Sequence, residues 1–214
     1  MSRFLRHICA STLGRKYIMA LTGLLLGSFL AVHAAGNSLI FQSPEALSAY
    51  AEHLHSFSLL LHSFSLLLLA VLLVHIATGI SLFLRSRRAK GRSCAVSASA
   101  GGQTWASRTM LFTGLANLAF LLLHLATVRF ADQALPTAER ISRTLTSPLL
   151  AALYTVGIAA LALHISHGFW STLQSLGISH SRWNGLLRTC AGCSAALIST
   201  VFAAIILLHV QAGR

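Results

Sequence analysis

The chain has 214 residues, of which 55% are hydrophobic and only 9% charged, with a formal net charge of +12 and a mean hydropathy of +0.73. A water-soluble globule of this composition would lack the polar surface to stay dissolved, so the sequence describes an all-α integral membrane protein. Apolar stretches at about 17–41, 57–84, 108–130, 148–171 and 189–210 each supply the roughly 20 residues that a helix needs to cross a bilayer. They predict one transmembrane domain over residues 1–214, a bundle of five helices.

The first stretch follows basic residues, as a secretory signal would, but exceeds the usual apolar core of a signal peptide and is read as a span. It contains Thr22-Gly23, with the glycine ten residues before His33. After it, Ser43 suits an N-cap, Pro44 a first helical position and Glu45 a first turn, so "PEALSAYAEHLHS" is expected to be helical, and the second helix to begin there, outside the lipid. The second span carries His75 with Gly79 one turn on.

Residues 85–107, "RSRRAKGRSCAVSASAGGQTWAS", are basic and rich in Ser, Gly and Ala, and read as a flexible loop. The third span then repeats the first, with Thr113-Gly114 ahead of His124, and the fourth repeats the second, with His164 and Gly168. A glycine four residues from a histidine shares its face and lets a flat group lie against the backbone. In the fifth span, Cys190-Ala-Gly-Cys193 lacks the following histidine of covalent haem attachment, and with Cys9 and Cys94 it makes no disulfide framework.

Charge sets the orientation. Arg3, Arg6, Arg15, Lys16, Arg85, Arg87, Arg88, Lys90, Arg92, Arg108, Arg182 and Arg188 fall on one side. The other side holds Arg129, Arg140, Arg143 and Arg214 with all four acids, Glu45, Glu52, Asp132 and Glu139. The positive-inside rule makes the N-terminus cytoplasmic and the C-terminus external. Topology and anionic lipid suffice to explain the basic face, which can also dock an acidic partner. Charges in short loops with no reading module exclude nucleic acid.

An ionisable side chain within a span is costly and marks function. At 1.5 Å per residue, His33 and His124 both lie about 24 Å from the basic boundary, and His75 and His164 about 15 Å from it. Two pairs at two heights suit two stacked haems, each iron taking two neutral imidazoles. Zinc prefers four ligands at one point, and a proton relay calls for carboxylates, which the spans lack. Of the remaining histidines, His7 and His180 belong to the basic-side loops, His53 and His55 to the outer helix, and His62 and His209 to the outer ends of spans. His167 competes with His164, but only His164 reproduces the His-x-x-x-Gly spacing of His75.

The motifs "SxxGRKxxMALTGLxLxxFxxxHxxGN" (Ser11 to Asn37), "HIxxG", "SRxMxxTG" and "HxxHGxWSxxQSLG" (His164 to Gly177) resemble the dihaem cytochrome b subunit of succinate:quinone oxidoreductases. That family includes menaquinol:fumarate reductases and b558-type succinate dehydrogenases. The resemblance implies His33 and His124 as axial ligands of an outer haem b, and His75 and His164 as those of an inner one. It also implies menaquinone or another quinone as bound substrate, flavoprotein and iron–sulfur subunits on the cytoplasmic face, and residence in a bacterial inner membrane. The chain itself has no dinucleotide fingerprint and too few suitably spaced cysteines for clusters. Some members have a glutamate two residues before the fourth ligand, where Ala162 stands here, so the resemblance does not carry over their carboxylate proton path. For the outer quinone site, where some members use a glutamate near the second helix, Glu52 and His55 are the substitutes, three apart on one face. The other readings open to the sequence are a different bis-histidine cytochrome b, such as a b561-type carrier or a hydrogenase or formate dehydrogenase anchor, and a histidine-relay transporter.

Overall fold

Ser11 starts the first helix by accepting a hydrogen bond from the backbone N–H of Gly14 at 3.0 Å, and the helix then runs uninterrupted through the first apolar stretch. The computed structural model describes residues 11–89, 105–178 and 180–212. Every regular element among them is helical. These are α1 (Thr12–Asn37) with a 3-10 turn at Ser38–Phe41, α2 (Pro44–Ser56), α3 (Ser58–Ala89), α4 (Trp105–His124) closed by a π turn at Leu125–Arg129, α5 (Thr137–Leu145), α6 (Pro148–Ser175) and α7 (Asn184–Ala212). Arg3, Arg6, His7, Cys9, Lys90, Arg92, Cys94 and Arg214 lie outside the described residues.

The helices α1, α3, α4, α6 and α7 are long and apolar enough to cross a membrane. This bears out the five-helix bundle and supports a multi-pass membrane protein. Each helix reaches past its apolar run into flanking polar residues, because backbone hydrogen bonding continues until a cap or turn stops it. Thus α3 extends to Ala89, beyond the expected start of the loop at residue 85. Exposed apolar side chains such as Leu59 (82%), Leu197 (70%) and Val32 (64%) are suited to lipid and would be poorly solvated by water.

Arg15, Arg85, Arg87, Arg88, Arg182 and Arg188 share one end of the bundle, the basic end; the short helices α2 and α5 lie at the far end. Ser43 caps α2 by accepting from Ala46 N–H at 3.1 Å. The Glu45 carboxyl is held below its usual range by hydrogen bonds from its own backbone N–H and from Ser43. The expected continuity between this helix and the second span does not occur. Phe57 leaves the helical region (φ −92, ψ 52), and its ring turns edge-on to His53 at 5.3 Å. The helix α5 has no counterpart in the sequence reading. It buries Ala138, Ile141 and Leu145 in a cluster with Ile40, Leu47, Tyr154, Ile158, Ile205 and Ile206, so the tightest packing lies at the far end.

Around the bundle, α3 packs on α1, α1 on α6 and α6 on α4, while α7 lies against α6 and α1. The α3–α4 side is the most weakly closed. Neither α1 with α4 nor α3 with α6 forms a packed pair, so these helices face each other across the interior.

Candidate functional site

Those two facing pairs carry the four histidines. His75 of α3 meets His164 of α6 with ring centroids 6.4 Å apart and planes at 70°. His33 of α1 meets His124 of α4 at 6.0 Å and 81°. We call the first pair proximal and the second distal, relative to the basic end. On α1 and on α4 the distal histidine lies eleven residues beyond the threonine that touches the proximal pair, which separates the levels by about 16 Å, more than the roughly 9 Å that residue counts from the basic boundary imply, because the helices do not all enter the bundle at one height.

The proximal rings are held in the same way twice. Thr22 Oγ1 lies 3.0 Å from His75 Nδ1, and Thr113 Oγ1 lies 3.2 Å from His164 Nδ1. A Cβ added at Gly23 would stand 3.4 Å from His75 Cε1, and one at Gly114 the same distance from His164 Cε1. Each Thr-Gly pair therefore serves the histidine of a neighbouring helix rather than the one ten residues further along its own. Sequence reading found the pair as a repeated landmark but missed this role; its signal was the repetition at one spacing.

The distal rings are held unequally. His124 Nδ1 lies 3.4 Å from Tyr154 Oη, and Tyr154 Oη lies 2.6 Å from Thr127 Oγ1. The π turn after His124 opens the helix at that threonine, with Phe130 N–H donating to Leu125 C=O at 2.7 Å. Local π turns of this kind recur at functional sites. The Asn37 amide donates to the His33 carbonyl at 2.8 Å, and its nitrogen is about as far from His33 Nδ1 (3.4 Å) as from Nε2 (3.5 Å), so it orients neither. Aromatic rings surround this level instead. Phe29 stacks on His33 at 5.4 Å, Phe202 of α7 approaches it to 5.8 Å, and Phe120 lies 6.2 Å from His124.

Three of the other histidines bond to their own helices. His55, His62 and His209 each place Nδ1 within 2.6–2.8 Å of the carbonyl four residues back. His167 lies one turn from His164, but His164 is the ring opposite His75. Gly79 faces Met19, whose Cε would be 3.4 Å from an added Cβ, and Gly168 opens on free space. Glu52 and His55 are both exposed on α2, which also presents Tyr50 to α1: a Cβ at Gly36 would fall 2.7 Å from that ring.

The donor set suits a bis-imidazole iron. Metal–imidazole bonds are about 2 Å long, which puts two rings on opposite sides of one metal with centroids about 6 Å apart, close to both separations seen here. Among the described residues no three His, Cys, Asp or Glu converge, as a zinc cage would require.

At the far end a cleft of about 270 Å³ is lined by Thr127, Asp132, Arg140, Arg143, Thr144 and Leu150, among others. Arg140 is buried there, donating to the Val128 carbonyl and to Gln133 Oε1, both at 3.0 Å, and to Thr137 Oγ1 at 2.8 Å. Burial, reinforced by nearby Arg129 and opposed by Asp132, lowers its pKa from the usual value.

No known family's sequence model matches the chain, and no solved structure does. Among curated proteins, the succinate dehydrogenase cytochrome b558 subunit of Bacillus subtilis (strain 168) is 23% identical over 156 residues, 72% of this chain and 74% of that protein. This similarity supports a membrane cytochrome b anchor.

Proposed function

We propose that the chain is the membrane-anchoring cytochrome b subunit of a quinol:fumarate reductase or succinate:quinone oxidoreductase. His33 and His124 hold one haem b and His75 and His164 a second, with Gly79 and Gly168 giving the flat groups room. The observation that carries this reading is geometric: two imidazole pairs, on facing helices that do not otherwise pack, at the spacing one metal imposes and at two depths. Haem, when bound, supplies one-electron redox chemistry. The chain's own residues set ligand geometry, separate the two levels and exclude water.

In this reading the basic end is cytoplasmic by the positive-inside rule, in a bacterial inner membrane, and docks an iron–sulfur subunit that a flavoprotein accompanies. Menaquinone or another quinone reacts at the far end. A quinol giving up two electrons also releases two protons, so its site needs an acceptor within hydrogen-bond reach. We assign this role to Glu52, which is exposed on α2 with His55 three residues further along the same helix. His55 Nδ1 is engaged by the Ala51 carbonyl, which leaves Nε2 for a quinone oxygen or a relayed proton.

The experiment is purification of the complex followed by assay of fumarate reduction with a menaquinol analogue, beside a reduced-minus-oxidised spectrum. A b-type spectrum, co-purifying flavoprotein and iron–sulfur subunits, and quinol-dependent fumarate reduction are expected. A b-type spectrum without those subunits would turn the reading toward another bis-histidine cytochrome b, and no haem spectrum at all would remove both.

A further inference from the structure

Thr22 and Thr113 occupy equivalent places in the two helix pairs, and their hydroxyls have one proton each to give. Thr22 Oγ1 lies 2.7 Å from the Ile18 carbonyl and 3.2 Å from that of Met19; Thr113 Oγ1 lies 3.2 Å from the carbonyls of Thr109 and Met110. Back-bonding of this kind is the ordinary fate of a threonine hydroxyl inside an apolar helix, and it commits the proton to the helix's own backbone. A carbonyl is acceptor only. What the oxygen then offers to the histidine is a lone pair, so in each contact the imidazole nitrogen must be the donor: His75 Nδ1–H donates to Thr22 Oγ1, and His164 Nδ1–H to Thr113 Oγ1. A neutral imidazole with its proton on Nδ1 has its free lone pair on Nε2. The adjacent glycines, Gly23 and Gly114, give the rings the clearance that lets them sit against the neighbouring backbone.

We propose that Thr22 and Thr113 are positioning residues that fix the Nδ1–H tautomer of His75 and His164, present Nε2 as the metal-binding nitrogen, and make both rings stronger electron donors to the iron between them. The proposal rests on the assignment of those histidines as haem ligands. An acceptor on the far nitrogen of a ligating imidazole raises the basicity of the near one, and a more basic axial ligand favours ferric over ferrous iron. The distal pair lacks this symmetry: Tyr154 stands beside His124 at 3.4 Å and, among the described residues, no hydroxyl meets His33. The effect therefore belongs to one haem of the two.

The test uses the intact complex carrying Thr22→Val, Thr113→Val, both together, and Thr22→Ser and Thr113→Ser. Valine keeps the shape and removes the acceptor; serine restores it. Potentiometric titration of each haem is read beside the low-spin electron paramagnetic resonance signals. Each valine variant is expected to lower the ferric-to-ferrous ratio of the proximal haem at a fixed potential by about fivefold, the equivalent of one neutral hydrogen bond. Its resonance signal shifts with it, the distal haem is unmoved, and both serine variants match the native protein. Valine variants with native potentials and signals for both haems would overturn the proposal, as would serine variants displaced as far as valine.

If valine prevents assembly, nitrogen-15 histidine spectra of the native complex with both haems in the low-spin, diamagnetic ferrous state decide the matter. The ring protons of His75 and His164 are expected on Nδ1 with hydrogen-bonded shifts, and shifts of an unbonded Nδ1–H would overturn the assignment. A His75→Ala complex that still holds two haems would remove the ligand reading itself. A His75→Ala complex that loses one haem, with silent valine variants, would remove only the threonine role.

Discussion

At the proximal level both rings rest on a threonine hydroxyl and a glycine of the neighbouring helix. At the distal level His124 reaches a tyrosine already engaged with Thr127, while His33 lies between Phe29 and Phe202 with Asn37 at its own backbone. The proximal arrangement is built twice from a two-residue motif, so it is the same from either side. The distal arrangement depends on what each helix end offers: a π turn after His124, and the packed cap of α2, α5 and α7 over the end of α1. A repeated motif specifies ring orientation locally, whereas a capped end specifies it through tertiary packing. The two levels are therefore expected to fail independently when perturbed.

The largest effects separate the levels outright. His75→Ala or His164→Ala is expected to remove the proximal haem and leave the distal one, and His33→Ala or His124→Ala to do the reverse, read as haem per chain in purified membranes. Loss of both haems from every single substitution would merge the two levels into one unit.

Glu52→Gln tests the far end without touching either pair. Quinol-linked turnover should be abolished, while both haems, assembly and fumarate reduction by an artificial low-potential donor persist. Normal quinol-linked activity would make Glu52 a solvated charge and move the search for the quinone site to the opposite face, around Trp105 and Arg108.

Packing is the next lever. A Cβ at Gly157 would collide with the Phe120 ring, and Phe120 sits edge-on to Tyr154 at 5.1 Å. Gly157→Ala is expected to cost about 1–3 kcal/mol by overpacking, lowering the melting temperature and broadening the distal haem signal alone. Disturbance of the proximal signal to the same degree would show the levels to be mechanically coupled.

Tyr154→Phe is the mildest change. It removes one hydroxyl near His124 and leaves Thr127 without that partner, a loss of about 0.5–1.5 kcal/mol. A small shift in the distal haem spectrum with both haems retained is expected, and an unchanged spectrum would deprive the tyrosine of its place in the site.

Much of this architecture can be read in the residues. Apolar length marks the five spans, and Ser43-Pro44-Glu45 marks α2, because caps and hydropathy act within a few residues of themselves. The four paired histidines emerge from depth along helices whose rise is constant. What Thr22 and Thr113 do is hidden, because a contact between helices depends on rotation about their axes, which residue spacing within one helix does not fix. The break at Phe57 and the helix at Thr137–Leu145 are likewise decided by packing at the far end, where Leu47, Ile141 and Tyr154 meet. Tyr154 itself stands thirty residues from His124 in the fourth apolar run, and only the fold brings them together.

The central claim is that four histidines in two facing pairs hold two haems in one chain. The measurement that tests it most directly is the haem-to-chain ratio of the purified native complex, combined with low-temperature electron paramagnetic resonance of the oxidised form. Two haems b per chain with two distinct low-spin bis-imidazole signals are predicted. A single haem per chain, or a high-spin signal in the native protein that reports an open axial position, would contradict it.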